Sequence, residues 1–64
     1  MVKINGHDEN AAGMTIEEYL KNTDYDPKRI AIERNEEIIP KSAYGAVVLN
    51  DGDSVEIVSF VGGG

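Results

Sequence analysis

The first residues alternate between apolar and polar, so Val2-Lys3-Ile4 reads as a short strand with one face buried. Asn5-Gly6 follows, and these two residue types best accept the positive φ of a tight hairpin turn. A second strand is therefore expected near His7 to Ala12, although its own pattern is weak and only the turn argues for it. Gly13 breaks the chain. The period then lengthens, with Ile16, Tyr19, Leu20 and Thr23 at i, i+3, i+4 and i+7 on one helical face. Thr15 and Glu18 have the spacing of a capping box, and Met14 and Tyr19 that of a hydrophobic staple. Glu17 and Lys21 form a favourable pair on the outer face. The helix should stop near Asn22 to Asp24, and Asp26-Pro27 marks a turn because the residue before proline avoids helical angles.

Ile30-Ala31-Ile32-Glu33-Arg34 returns to a strand pattern rich in β-branched residues. Asn35-Glu36 reads as a turn, and Glu37-Ile38-Ile39 as a short strand ended by Pro40. Residues 41–49 are irregular or carry a helical turn, with Val47 and Leu49 available to fill a gap in the core. Asn50-Asp51-Gly52-Asp53 is a strong turn signal. Ser54 to Phe60 is the last strand, in which Val55 and Ile57 share one face while Glu56, Val58 and Phe60 share the other. The order of strand, strand, helix, strand, short strand, strand predicts an α+β fold, a mixed sheet crossed by one main helix. A β-grasp is the compact solution at this length. The expected organisation is one domain over residues 1–60 and a flexible C-terminal tail over 61–64.

Composition narrows the function. A chain of 64 residues buries only about 60% of its unfolded surface and is too small for a deep cofactor pocket with a catalytic constellation. The absence of cysteine removes disulfides, thiolate metal sites and a thiol nucleophile together. Twelve acids against six bases give a net charge of −6, without the basic patch that nucleic acid or an anionic membrane requires. No stretch resembles a signal peptide or a membrane span, so a cytoplasmic protein is expected. His7 sits beside a turn with no nucleophile near it. Asp51-Gly52-Asp53 lacks the other ligand positions of a calcium loop, and no metal is expected.

Gly62-Gly63-Gly64 directly follows the best strand. Glycine has no side chain, so such a segment can pass a narrow channel and lay its backbone against another protein's active site. Fully extended, Val61 to Gly64 reaches about 13–14 Å at 3.3–3.6 Å per residue. A carboxylate at Gly64 is a poor acyl donor until ATP supplies a leaving group as an acyl-adenylate. A sulfur nucleophile can then leave a thiocarboxylate. Tail composition alone favours the plainer reading, a disordered end. Val58 and Phe60 either form an apolar anchor for a partner, together with Val61, or cover the end of the core. The acidic surface suits a basic docking face, as well as ordinary solubility.

Along its whole length the chain resembles the ThiS family of ubiquitin-like sulfur carriers of thiamin thiazole biosynthesis. The resemblance lies in Ile4-Asn5-Gly6, Thr15-Ile16-Glu17-Glu18-Tyr19-Leu20, residues 29–35, Glu37-Ile38-Ile39-Pro40-Lys41, residues 51–58 and the closing Phe60-Val61-Gly62-Gly63-Gly64. Two departures fall in loops: Glu36 stands where glycine commonly follows the asparagine, and Tyr44-Gly45 replaces a stretch that usually contains tryptophan. The resemblance implies a protein co-substrate that is not itself an enzyme, monomeric when free and without a bound cofactor. Gly64 would be adenylated by an activating-enzyme-like adenylyltransferase that uses ATP, then thiocarboxylated from a sulfur donor such as a cysteine desulfurase. Gly63 shares the chemistry, Gly62 gives slack, and the sulfur passes to thiazole synthase. The alternatives are a molybdopterin-synthase small-subunit type of carrier, a ubiquitin-like modifier, and a non-covalent β-grasp binding module with an incidental glycine tail.

Overall fold

The structure is a computed structural model that describes residues 1–60; the expected tail, Val61 to Gly64, lies outside the described residues. Among the described residues five strands form one sheet in the order β2-β1-β5-β3-β4. They are β1 (Val2–Ile4), β2 (His7–Glu9), β3 (Ile30–Arg34), β4 (Glu37–Ile39) and β5 (Ser54–Ser59), with one α-helix, α1 (Ile16–Lys21). Two hairpins, β1–β2 and β3–β4, flank β5, which runs parallel to β1 and antiparallel to β3. The expected second strand is shorter than His7 to Ala12: pairing stops at Glu9, and Ala11 turns into the core instead. No described helix is long and apolar enough to cross a membrane.

Alternation decides the two faces of the sheet. Val2 and Ile4, Val55 and Ile57, and Ile30 and Ile32 are all buried and meet Ile16 and Leu20 of α1 in one core. Leu49 fills the core as expected, and Val47 packs against it. Tyr44 is also buried, a residue the hydrophobic pattern did not single out. Burial raises its phenol pKa above the usual value.

The helix has only six residues, too few to be stable on propensity alone. Its orphan N–H groups are instead all taken. Thr15 Oγ1 accepts from Glu18 N at 3.1 Å while Glu18 Oε1 accepts from Thr15 N at 2.8 Å, closing the capping box. Ile16 N donates to Val47 O at 3.0 Å and Glu17 N to Tyr44 O at 2.9 Å. The irregular segment before Asn50 therefore owes its order to the helix start that it caps. Asp26-Pro27 does more than turn: Asp26 Oδ1 accepts from Lys28 N at 2.9 Å and starts a 3-10 turn over Pro27–Arg29.

Both hairpin turns place two residues at positive φ. They are Asn5 (51°) with Gly6 (83°), and Asn35 (51°) with Glu36 (71°). Glycine carries no penalty there, whereas a β-carbon in the left-handed region costs about 1–2 kcal/mol. Glu36→Gly should therefore stabilise the domain by about 0.5–1 kcal/mol, once the extra backbone freedom of glycine in the unfolded chain is subtracted. An upward shift of the urea midpoint checks this, and an unchanged or lower midpoint contradicts it.

The capping box makes a second prediction. Backbone and side-chain hydrogen bonds from Thr15, the backbone one larger, hold the Glu18 carboxyl below its usual pKa. A lowered folded-state pKa contributes stability above the unfolded carboxyl range, and that contribution is lost as pH falls through the folded value. The stability difference between wild type and Glu18→Gln should thus shrink on acidification through that window, read from urea titrations at successive pH values.

Candidate functional site

The last described strand, β5, sits in the middle of the sheet, so the segment that follows it continues from a strand with a neighbour on each side. Lys3 N donates to Asp53 O and Asn5 N to Val55 O, both at 2.9 Å, along one edge of β5. The opposite edge pairs with β3 from Arg34↔Val55 to Ile30↔Ser59. Beyond the end of β5, Phe60 N still donates to Arg29 O at 2.7 Å. Arg29 is held in turn by the 3-10 turn, through Arg29 N to Asp26 O at 2.8 Å and an exposed ion pair to Asp26 at 3.6 Å. Lys41 Nζ donates to Ile30 O at 3.0 Å, satisfying a β3 carbonyl past the end of β4. The root of the tail is thus held along the β3 edge, by pairing as far as Ser59 and by Arg29 at Phe60.

Two asparagines reinforce β5 from either edge. The Asn5 side chain accepts from Ile57 N at 2.8 Å and donates to Ile57 O at 3.2 Å, so one amide pairs with a strand residue as a backbone unit would. Asn35 Oδ1 accepts from Ser54 N at 3.0 Å, and its amide donates to Asp53 Oδ1 at 3.1 Å. In the sequence both were legible only as turn residues.

Of the residues singled out by pattern, Val58 and Phe60 are exposed on the sheet face turned away from α1, at 55% and 57%. They do not cover the core. Val61, Gly62, Gly63 and Gly64 lie outside the described residues. Register adds neighbours that a single strand could not reveal: Ala31 lies opposite Val58, Glu33 opposite Glu56, and Ile38, 73% exposed, opposite Glu33. The open face therefore mixes apolar and acidic side chains along β3 and β5, with the exposed Lys3 of β1 beside Ser54 at the start of β5. His7 is exposed, and no group of three or more potential metal ligands occurs among the described residues.

The chain matches the ThiS family over residues 2–64. It is 43% identical over 67 residues to the sulfur carrier protein ThiS of Bacillus subtilis (strain 168), a match that covers 100% of each chain. It is 52% identical over 62 residues to a thiazole synthase of Paramagnetospirillum magneticum; that match covers 95% of this chain but only 19% of that much longer protein. The crystal structure of the thiamine biosynthesis protein ThiS of Geobacter metallireducens superposes with a TM-score of 0.72 at 29% identity, covering 98% of this chain and 97% of the other. The sheet crossed by one helix is accordingly a β-grasp.

If Val58 and Phe60 face solvent, removing their apolar surface should change stability by no more than about 0.5 kcal/mol. Val58→Thr, which keeps the β-branch, and Phe60→Ser test this by denaturant unfolding. A loss of 2 kcal/mol or more, roughly that of emptying a core site, would return both residues to the core.

Proposed function

The chain belongs to the ThiS family, and on that premise we propose that it is the sulfur carrier for the thiazole of thiamin, loaded at Gly64. The observation that carries the reading is the position of β5: the strand that leads to Gly62-Gly63-Gly64 is the central one, paired with β1 at its start and with β3 as far as Ser59, and held by Arg29 at Phe60. Such a body would offer a side-chain-free segment from a firmly held strand, which suits delivery of a carboxylate into a partner's active site.

The chemistry proceeds in two steps. A partner adenylyltransferase of the activating-enzyme type binds ATP, and the Gly64 carboxylate attacks its α-phosphorus with release of pyrophosphate. A hydrosulfide equivalent, with a cysteine desulfurase as its source, then attacks the acyl carbon, AMP leaves, and a thiocarboxylate remains. Gly63 and Gly62 leave room for the backbone to lie in the channel. The thiocarboxylate gives its sulfur to thiazole synthase, a partner supported by the relative of that name in which a fifth of the length resembles this chain. In this scheme the chain is a co-substrate and catalyses no step itself. It holds no cofactor of its own and works in the cytoplasm. Val58 and Phe60, with Val61 beyond them, contact the enzymes that take the tail.

Intact mass after incubation with the adenylyltransferase, ATP and a sulfur source should rise by the exchange of one oxygen for sulfur, mapped to Gly64. Deleting Gly64 should abolish the change while leaving the urea midpoint unaltered. Conjugates to lysine amines on a denaturing gel would point instead to a modifier. Absence of any mass change, with a partner shown active on another carrier, would refute the carrier reading.

A further inference from the structure

One side chain outside the tail carries a reactivity that the fold holds in check. Of the five asparagines, Asn5 alone is followed by glycine. Glycine has no β-carbon to shield its backbone nitrogen, and its backbone visits more conformations than that of any other residue. Gly6 N is therefore the amide best able to reach the Asn5 side-chain carbon and close a succinimide ring. Both residues are exposed, so water reaches them. In the folded chain, however, the Asn5 amide is engaged at both of its polar atoms. Oδ1 accepts from Ile57 N at 2.8 Å, while Nδ2 donates to Ile57 O at 3.2 Å and to Tyr25 Oη at 3.3 Å. Turning the side-chain carbon toward Gly6 N gives up these contacts, including both that hold the nitrogen that would leave.

The second hairpin supplies the contrast. Asn35 has the same φ of 51°, and its side chain likewise reaches β5, accepting from Ser54 N at 3.0 Å and donating to Asp53 Oδ1 at 3.1 Å. Glu36 follows it, and a side chain there shields the attacking nitrogen. Asp51-Gly52 shares the glycine, but ring closure and hydrolysis there return the same mass, and Gly52 N already donates to Met1 O at 2.9 Å.

We propose that Asn5-Gly6 is a site of spontaneous deamidation, guarded by the bonds to Ile57 and reactive only when the β1–β2 hairpin leaves β5. Gly6 N bonds to the Asn5 side-chain carbon, the bond from that carbon to Nδ2 breaks, and ammonia departs with the Gly6 amide proton. Water then adds to either carbonyl of the ring. One opening gives aspartate; the other gives isoaspartate, in which the main chain runs through the former side chain. The net change is water taken up, ammonia released and a neutral amide turned into a carboxylate. Neither product can donate to Ile57 O, which is left without that partner. Aspartate would also set a carboxylate oxygen against that carbonyl. On the β1 edge strand pairing reaches only Val55, opposite Ile4, so the Asn5 amide is what holds β5 beyond that point. The reaction is irreversible, and each chain that has opened is thereby marked by a weaker central strand. None of this depends on the carrier reading, since only the hairpin and β5 take part.

The test holds the full chain at one mildly alkaline pH, with and without guanidinium chloride, and maps the products by tandem mass spectrometry. In denaturant the mass gain of amide-to-acid exchange should appear at Asn5 ahead of Asn35 and every other asparagine. In buffer it should appear at the same residue at least about tenfold more slowly, because only the open hairpin reacts. Asn5→Asp, which reproduces one product, should lower the urea midpoint; if that variant does not fold, the two rates still decide. Equal rates with and without denaturant would show that the fold does not guard the site. A gain at Asn35 as fast as at Asn5, or none at Asn5 in the unfolded chain, would remove the site altogether. An Asn5→Asp chain as stable as wild type would overturn the effect on β5.

Discussion

Everything in this fold is arranged around a strand hydrogen-bonded on both edges. β5 is the last of the described strands in chain order, yet it occupies the middle of the sheet, between the β1–β2 and β3–β4 hairpins. Its parallel pairing with β1 joins Lys3 to Ser54, a contact that closes almost the whole chain into a loop. Such closure is entropically unfavourable, and the chain has no disulfide to assist it. The turn asparagines offset part of that cost locally. Asn5 and Asn35 each set a hairpin turn with their backbone and, with the side-chain amide, reach across to β5. Each amide extends the ladder past the residue where the neighbouring strand has turned away, so the central strand gains partners that neither short hairpin could supply alone.

The same economy explains the rest of the body. A six-residue helix cannot hold itself, and the segment from Tyr44 to Leu49 has no regular partner strand. Together they satisfy each other: carbonyls of the segment cap the helix start, while Leu49 N donates to Met14 O at 2.8 Å and Gly13 N to Leu49 O at 2.8 Å. Tyr44 and Leu49 then enter the core beneath the helix. Gly45 belongs to this junction, since a β-carbon there would come within 3.2 Å of a Glu17 side-chain oxygen. That oxygen ends a flexible, exposed side chain that can move aside, so the contact alone does not require glycine at this position.

Local signals were legible in the sequence wherever the physics is local. Asn5-Gly6, the Thr15/Glu18 capping box, the Glu17–Lys21 pair, the strand at Ile30 to Arg34 and the inward Val55 and Ile57 all depend on residues within a few positions of one another. Pairing does not. Nothing in Ser54 to Phe60 states that its neighbours are β1 and β3, so the opposition of Glu33 to Glu56 and of Ala31 to Val58 became visible only once register was known. Burial of Tyr44 escaped for a related reason: it lies outside any periodic segment, and its core position follows from the helix start that its carbonyl caps. Asp26-Pro27 showed as a turn, but its brace on Arg29, and through Arg29 on Phe60, is a long-range consequence.

That brace bears on how a carrier of this kind would bind at all. Ordering one residue of backbone costs about 1–2 kcal/mol, and glycine lies at the upper end. Threading Val61 to Gly64 into a channel would therefore cost roughly 4–8 kcal/mol, with almost no side chain in that stretch to offset it. Val58 and Phe60 are only about half exposed, so burying what remains of them contributes roughly 1–3 kcal/mol together. The apolar strip alone falls short. The difference has to come from backbone hydrogen bonds to the tail and from groups elsewhere on the body. A glycine tail is thus a poor ligand by itself, and the rigidity of its root matters because every residue already ordered at Ser59 and Phe60 is one whose entropy need not be lost on binding.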